Sequence, residues 1–310
     1  MGQQNVRLGI DVGGTKIEGV ALGPRCEILA QMRISTRRGP QCVVDDIVSV
    51  AESLCDRVRA LKKYQTDIMF TSLGVGIPGR VDSEAGVVLD AVNLSVECLE
   101  LADEVHSRTG LPVHVENDVN VAALGAVYAD NAGLPAEGTV ALINLGTGVA
   151  VGVVRHGRID HGAHGVAGEI GHIAVESHGF ACVCGQRGCL ETVASGGAVD
   201  RLWPHGNPAM PDLIAAAERG DDHAEQVLDM VIGGICDVID IVALTVDPSQ
   251  MFIAGGVAKT GERLLRLIRT ELDHRAQSSP FLASLAISRS VRLAPSHMSI
   301  GAVGAALSMS

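Results

Sequence analysis

The chain has 310 residues, of which 47% are apolar and only 2% aromatic, and its formal charge is −12. This length exceeds one typical core, so one large or two medium lobes are expected, built from Val, Ile, Leu and Ala rather than from rings. The acidic balance argues against a nucleic-acid or membrane-surface role, since either calls for a basic face, and no apolar run reaches membrane-spanning length.

The N-terminus goes straight into a strand pattern rather than a charged leader. Leu8 to Lys16 reads as a strand ending in the turn Gly13-Gly14, followed by a second apolar strand from Ile17 to Leu22. A helix is expected over Val44 to Leu61, a strand over Ser72 to Gly76, and another over Pro112 to Glu116. A helix of small residues runs from near Val119 to near Tyr128. Val140 to Gly148 then repeats the first pattern of strand, glycine turn and strand, continuing from Val149 to Val154. Such a hairpin tip can bring backbone N–H groups close to an anion, and its recurrence predicts two lobes of related architecture. Helices follow at Ala209 to Arg219 and His223 to Leu244. Next come a strand at Gln250 to Ala254, a glycine turn, a helix at Gly261 to Arg275 and a strand near Val291. A last Ala/Gly-rich helix covers Gly301 to Leu307. Alternating strands and helices predict α/β layers. The expected division is a small domain over residues 1–118 plus a C-terminal helix at 296–310, with a large domain over 119–295.

Three segments carry chemistry. His172, Cys182, Cys184 and Cys189 have the composition of a closed structural zinc site, with Gly185 and Gly188 letting the loop fold back. With no secretory signal, disulfides are the weaker reading, and the thiols fit a reducing cytoplasm. The turn Asp11-Val12-Gly13-Gly14-Thr15-Lys16 places a carboxylate, two glycines, a hydroxyl and an ammonium at one tip. There Gly13 and Gly14 admit phosphate oxygens, Thr15 and Lys16 add donors, and Asp11 can hold Mg²⁺ through water. Gly146-Thr147-Gly148 is its twin, which favours a nucleotide whose phosphates lie between the two. In Glu116-Asn117-Asp118 a strand ends and a helix begins. Taken alone this is an N-cap; beside two phosphate turns, Asp118 reads better as a general base for phosphoryl transfer.

In this order the motifs resemble the ROK family of sugar kinases and sugar-responsive repressors, within the actin-like ATPase superfamily. The resemblance spans nearly the whole chain. It rests on Asp11 to Lys16, Gly76 to Asp82, Asn117-Asp118, Gly146 to Gly148, Gly168 to His172, the cysteine loop ending in Glu191, and Ala254-Gly255-Gly256-Val257. It implies a two-lobed α/β fold of the ribonuclease H-like type with a cleft between the lobes. Asp118 would deprotonate the sugar's primary hydroxyl. Asn117, Glu169, His172 and Glu191 would bond sugar hydroxyls, with Gly79 and Arg80 lining the pocket and Asn93 matching the sugar kinases. Gly255 and Gly256 would belong to the adenosine motif. His172 would face the metal with one ring nitrogen and the sugar with the other. For Glu169 and Glu191 the plainer alternative is a surface carboxylate.

Two departures stand out. Val149-Ala150-Val151 follows Gly148 where many members have further glycines, and Val92 stands where some acetylated-hexosamine kinases carry a hydroxyl residue. The implied activity is ATP-dependent phosphorylation of a hexose at its 6-hydroxyl, with glucose favoured, using ATP, Mg²⁺ and a structural Zn²⁺. N-acetylmannosamine or N-acetylglucosamine kinase is the alternative, and a polyphosphate-using relative is a further option. A sugar-sensing regulator is less favoured, because the Asp11 motif leaves no room before it for a DNA-binding domain. A cytoplasmic homodimer or homotetramer is expected, with no nucleic-acid or membrane partner.

Overall fold

A computed structural model of the chain describes residues 4–61, 68–130, 138–176 and 179–309. They form two compact units, one of Met1–Glu137, Val154–Gly165 and Pro295–Ser310, the other of Gly138–Val153 and Val166–Ala294. Among the described residues no helix is long and apolar enough to cross a membrane.

The first unit opens with β1 (Gln4–Val12), β2 (Lys16–Leu22), β3 (Ile28–Ser35) and α1 (Pro40–Arg59). Alternate residues Val6, Leu8, Ile10 and Val12 of β1 are fully buried, the period-2 pattern of a strand with its apolar side in a core. Pro40 supplies the preset φ that helix α1 needs at its start, and Val44, Ile47, Ala51, Leu54 and Val58 line its buried stripe. The chain continues through β4 (Ile68–Ile77), β5 (Arg80–Asp82), β6 (Val87–Ala91), β7 (Val96–Leu99), α2 (Leu101–Thr109), β8 (Val113–Asn117) and α3 (Asp118–Asp130). The main sheet has the order β3-β2-β1-β4-β8, while β5, β6 and β7 make a small separate sheet. Strands β1, β4 and β8 run parallel, so their carboxyl ends lie on one side, where ligands of open α/β sheets are held.

The second unit contains β9 (Thr139–Leu145) and most of β10 (Val149–Arg155), whose end pairs with β11 (Arg158–Ile159) of the first. Helices α4 (Glu191–Ala194), α5 (Gly196–Leu202), α6 (Ala209–Glu218) and α7 (Asp222–Val246) follow. Then come β12 (Gln250–Ala254), α8 (Gly255–Ala258), α9 (Glu262–Gln277), α10 (Pro280–Leu285), α11 (Ile287–Ser290) and β13 (Val291–Leu293). The sheet order β10-β9-β12-β13 mirrors β2-β1-β4-β8, so each unit repeats a hairpin followed by two further strands. Its core is aliphatic, with Ile143, Leu190, Leu213, Ile235, Ile253 and Leu264 buried together.

The last helix, α12 (Ile300–Leu307), returns to the first unit. Its small residues allow backbone-to-backbone approach: a Cβ on Gly304 would stand 1.7 Å from the Val121 carbonyl, and one on Gly125 of α3 would stand 1.9 Å from that of Ile300. This packing keeps α3 in the first unit. The expected boundary at residue 118 therefore falls too early, and the 119–295 domain loses both α3 and the segment Val154–Gly165. The region after Ala254, expected as a glycine turn, begins the short helix α8.

Candidate active site and metal centre

Strand register places the first half of the site. Asp11 on β1 lies opposite Gly76 on β4, and Gly76 lies opposite Glu116 on β8, so Asp11 and the Asn117-Asp118 pair emerge from the same sheet end. Two glycines leave space for the Asp11 carboxylate, since a Cβ on Gly301 would stand 2.3 Å from one of its oxygens and a Cβ on Gly76 3.7 Å from the other. Burial pushes this carboxyl up to about 7; the charges of Asp118 and Glu18 add to the shift and Lys16 opposes it. Such a carboxylate, next to a second one, suits a hard cation and its water shell. The turn after it is closed by the Gly13 N–H to the Lys16 carbonyl at 2.9 Å, and Thr36 Oγ1 braces the Gly13 carbonyl at 2.7 Å.

Lys16 is less available than its motif implies. Its ammonium pairs with Glu18 at 2.6 Å, and Glu18 also takes Arg33 at 2.5 Å. Burial pushes the Glu18 carboxyl up, but the bonds from Lys16 and Arg33 outweigh it and hold the group below the ordinary range. Thr15 is exposed at the tip. Asn93 lies in a 3₁₀ turn beside the Gly13-Gly14 turn, its Cβ 3.4 Å from where a Gly14 side chain would begin.

Asn117 and Asp118 divide two tasks. Asn117 Oδ1 accepts the backbone N–H groups of Val119 at 2.9 Å and Asn120 at 3.4 Å, which is helix capping. Its amide nitrogen donates to the Gly79 carbonyl at 3.2 Å, leaving one N–H for another partner. Asp118 follows at the first helical position, one oxygen accepting the Val119 N–H at 3.0 Å. Arg80, on β5, is exposed.

In the second unit the turn Gly146-Thr147-Gly148 is closed by the Gly146 N–H to the Gly148 carbonyl at 3.1 Å, and the Gly196 N–H bonds the Gly146 carbonyl at 2.7 Å. Beside it opens a pocket of about 300 Å³ whose lining includes Thr147, Val199, Asp200, Met210 and Gly256. A lining that combines backbone amides and a hydroxyl with aliphatic walls suits a phosphate tail and a flat base. Gly255 holds φ +88° within 2.4 Å of the Leu145 carbonyl, counting from where a Cβ would be, so only glycine fits there. Sequence reasoning missed Val199, Asp200 and Met210, which carry no motif and are assembled by α5 and α6.

The four expected metal ligands do converge. One ligand atom from each of His172, Cys182, Cys184 and Cys189 lies within 4.8 Å of all the others. Cys184 and Cys189 sulfurs are 3.6 Å apart, and Cys182 Sγ is 3.7 Å from His172 Nδ1. A tetrahedral ion with Zn–S near 2.3 Å requires edges of roughly 3.5–3.8 Å, so the set fits zinc. Burial pushes the Cys182 thiol up to about 12, while Gln186, through its backbone and side chain, brings Cys184 down to about 6. Gly188 turns at φ +75° where a Cβ would stand 1.7 Å from the Glu176 carbonyl, which lets Cys189 close the set. Glu191 stands beside the ligands, one oxygen 3.7 Å from His172 Nδ1, and its other oxygen is 2.8 Å from where a Gly148 side chain would begin. It thus lies between the cysteine loop and the Gly146-Thr147-Gly148 turn. Glu169 is exposed just before the 3₁₀ turn that carries His172.

The model of the ROK family matches residues 7–309. A glucokinase of Halalkalibacterium halodurans is 35% identical over 286 residues, covering 86% of this chain and 84% of that protein. The crystal structure of the ROK hexokinase from Thermus thermophilus superposes with a TM-score of 0.80 at 26% identity, covering 98% of this chain and 97% of that one. The ROK family glucokinase from Streptomyces griseus, solved in complex with glucose and AMPPNP, gives a TM-score of 0.72 at 30% identity over 97% of this chain and 98% of that one.

Proposed function

The chain belongs to the ROK family and is a sugar kinase with the actin-like ATPase fold, and on that premise we propose that it transfers the γ-phosphoryl group of ATP to the 6-hydroxyl of glucose. The observation that carries the mechanism is the start of α3, where Asn117 caps the helix and the Asp118 carboxylate, which shares the Val119 N–H, stands beside Asp11 at the carboxyl ends of the parallel strands.

A hexose hydroxyl is too weak an acid to lose its proton unaided at neutral pH. The Asp118 carboxylate takes that proton as the hydroxyl oxygen bonds to phosphorus, and ADP leaves. The remaining N–H of Asn117 and the carboxylate of Glu191 hold sugar hydroxyls, with His172 Nε2 as a further donor fixed by ligation of Nδ1. Gly79, Arg80, Asn93 and Glu169 complete the contacts to the sugar. The second unit's pocket holds the nucleotide, with Gly146, Thr147 and Gly148 at the phosphates and Gly255 and Gly256 toward the adenosine. In the first unit Gly13, Gly14 and Thr15 offer phosphate donors of their own, and Lys16 adds one only on exchanging Glu18 for phosphate oxygen.

Asp11 would hold Mg²⁺, which when bound neutralises phosphate charge. His172, Cys182, Cys184 and Cys189 would hold Zn²⁺ as a structural ion that shapes the loop ending in Glu191. Three thiols committed to a metal suit the reducing cytoplasm.

A coupled ADP-release assay across glucose, mannose, N-acetylglucosamine and N-acetylmannosamine tests the reading. Glucose should give the highest kcat/KM. Preference for an acetylated sugar would overturn the choice of substrate, and no turnover with any sugar would overturn the activity.

A further inference from the structure

Glu116 is only 1% exposed, and among the described residues neither lysine nor arginine bonds to it. Four donors fill its carboxylate. Oε1 accepts the backbone N–H of Asn117 at 2.7 Å and Nδ2 of Asn120 at 3.0 Å. Oε2 accepts the Ser83 hydroxyl at 3.2 Å and Nε2 of His161 at 2.5 Å. A carboxylate has about four acceptor positions, so the group is saturated.

The two oxygens serve different parts of the chain. Oε1 grips the residues on either side of Asp118 in the first turn of α3. Oε2 grips the loop after β5 and the segment after β11, both distant in sequence. His161 reaches it from a pocket of about 870 Å³ that His114, Arg80 and Asp82 also line. Its side chain is 43% exposed, so the imidazole closes the arrangement without itself forming the core.

We propose that Glu116, clamped by His161 and Ser83, is a positioning residue that sets where Asp118 stands. This rests on the reading of Asp118 as the base. An unclamped Glu116 would keep its bonds to Asn117 and Asn120 but could move with them. A displacement of about 1 Å at a reacting group can cost on the order of 10²-fold in rate. The sequence hides this role, because Glu116 reads only as the polar end of an apolar strand and His161 belongs to no motif.

The test compares His161→Ala, His161→Gln and Glu116→Gln with Asp118→Asn in the full chain. His161→Ala should lower kcat about tenfold or more while KM for glucose and for ATP stay within roughly threefold, the signature of a group acting on the transition state. His161→Gln, whose amide can donate to the same oxygen, should restore most of that loss. Glu116→Gln should lose at least as much, because its single acceptor oxygen can hold only one of the two donor pairs unless Ser83 and His161, or Asn120, reorient. Amide hydrogen exchange at Val119 and Asn120 should quicken in His161→Ala although its far-UV spectrum and melting temperature match the parent. The clamp is overturned if His161→Ala keeps kcat within about twofold, or if His161→Gln fails to restore it. If Asp118→Asn keeps its turnover, the base assignment falls instead. Collapse of Asp118→Asn beside an unaffected His161→Ala sinks the clamp alone.

Discussion

The side-chain oxygens of Asp118 and Asn117 share one donor, the backbone N–H of Val119, at 3.0 and 2.9 Å, and Asn117 also accepts that of Asn120 at 3.4 Å. The Asn117 side chain donates to the Gly79 carbonyl at 3.2 Å, tying the cap to the loop that begins the small sheet. Asn117→Ala should therefore lower stability by about 1 kcal/mol, the usual cost of a lost cap, and also raise KM for hexose. Asn117→Asp keeps a capping oxygen but has no amide donor. It should recover the capping part of the stability loss, less the repulsion of its second oxygen by the Gly79 carbonyl, and still show the raised KM. Urea melts beside initial rates would separate the two effects.

Asp118→Asn preserves size and the contact to the Val119 N–H while removing the base. Turnover should fall by roughly 10² to 10⁴-fold, the range of a positioned general base, with little change in glucose or nucleotide affinity. Retention of near-normal turnover in a correctly folded variant would return Asp118 to a structural role and make Glu169 the next carboxylate to test.

Asp11 brings pH into play. Its folded-state value is raised from 3.8 to about 7 by burial, with Asp118 and Glu18 contributing. A raised carboxyl favours the protonated folded form, so its stabilising contribution is complete below about pH 4 and is lost as pH rises through about 7. In the absence of cation, Asp11→Asn should therefore stabilise the protein at pH 8, by at most about 4 kcal/mol. Cation binding runs the other way. Mg²⁺ held by Asp11 as proposed would displace the proton, so its apparent affinity should fall as pH drops from 8 to 6, with proton release visible by calorimetry in buffers of different ionisation enthalpy. Asp11→Asn should flatten that dependence.

The metal centre and both glycine turns were legible in the chain because their chemistry is local: ligands within eighteen residues, glycines at forced turns, a carboxylate at a strand end. What stayed hidden is built from distant segments. The Ser83–Glu116–His161 clamp joins strand β8 to two loops, and Val199, Asp200 and Met210 meet only because α5 and α6 fold beside the second turn. The engagement of Lys16 by Glu18 is of the same kind in reverse. Those residues are two apart on one strand face, a period-2 neighbour that the motif reading passed over.

Removing the metal should act on the sugar more than on the nucleotide. Glu191 lies two residues after Cys189, so a loop that loses the cross-link between its ligands loses the anchor for that carboxylate, while the proposed nucleotide pocket is framed by other elements. Treatment with a strong chelator, or Cys189→Ser, should abolish bound zinc and raise KM for glucose by more than KM for ATP. Cys98→Ser, at an exposed cysteine outside the set, should leave zinc content unchanged. Equal zinc in Cys189→Ser and the parent would place the ion elsewhere.

Gly255 and Gly256 offer a controlled test of the nucleotide pocket, because adjacent glycines face opposite constraints. A methyl group on Gly256 meets no atom within 4 Å, so Gly256→Ala should fold normally. Since Gly256 lines the pocket, the added methyl should still raise KM for ATP, with KM for glucose unchanged. Gly255 has φ +88° and would drive a Cβ to 2.4 Å from the Leu145 carbonyl. Gly255→Ala should cost at least about 1–2 kcal/mol from the left-handed backbone alone and weaken both folding and nucleotide binding. Thermal melts with and without AMPPNP would read both. A Gly256→Ala protein with parental ATP affinity would move the adenosine away from this glycine and confine the nucleotide's contacts to the Gly146 turn and the α5–α6 wall.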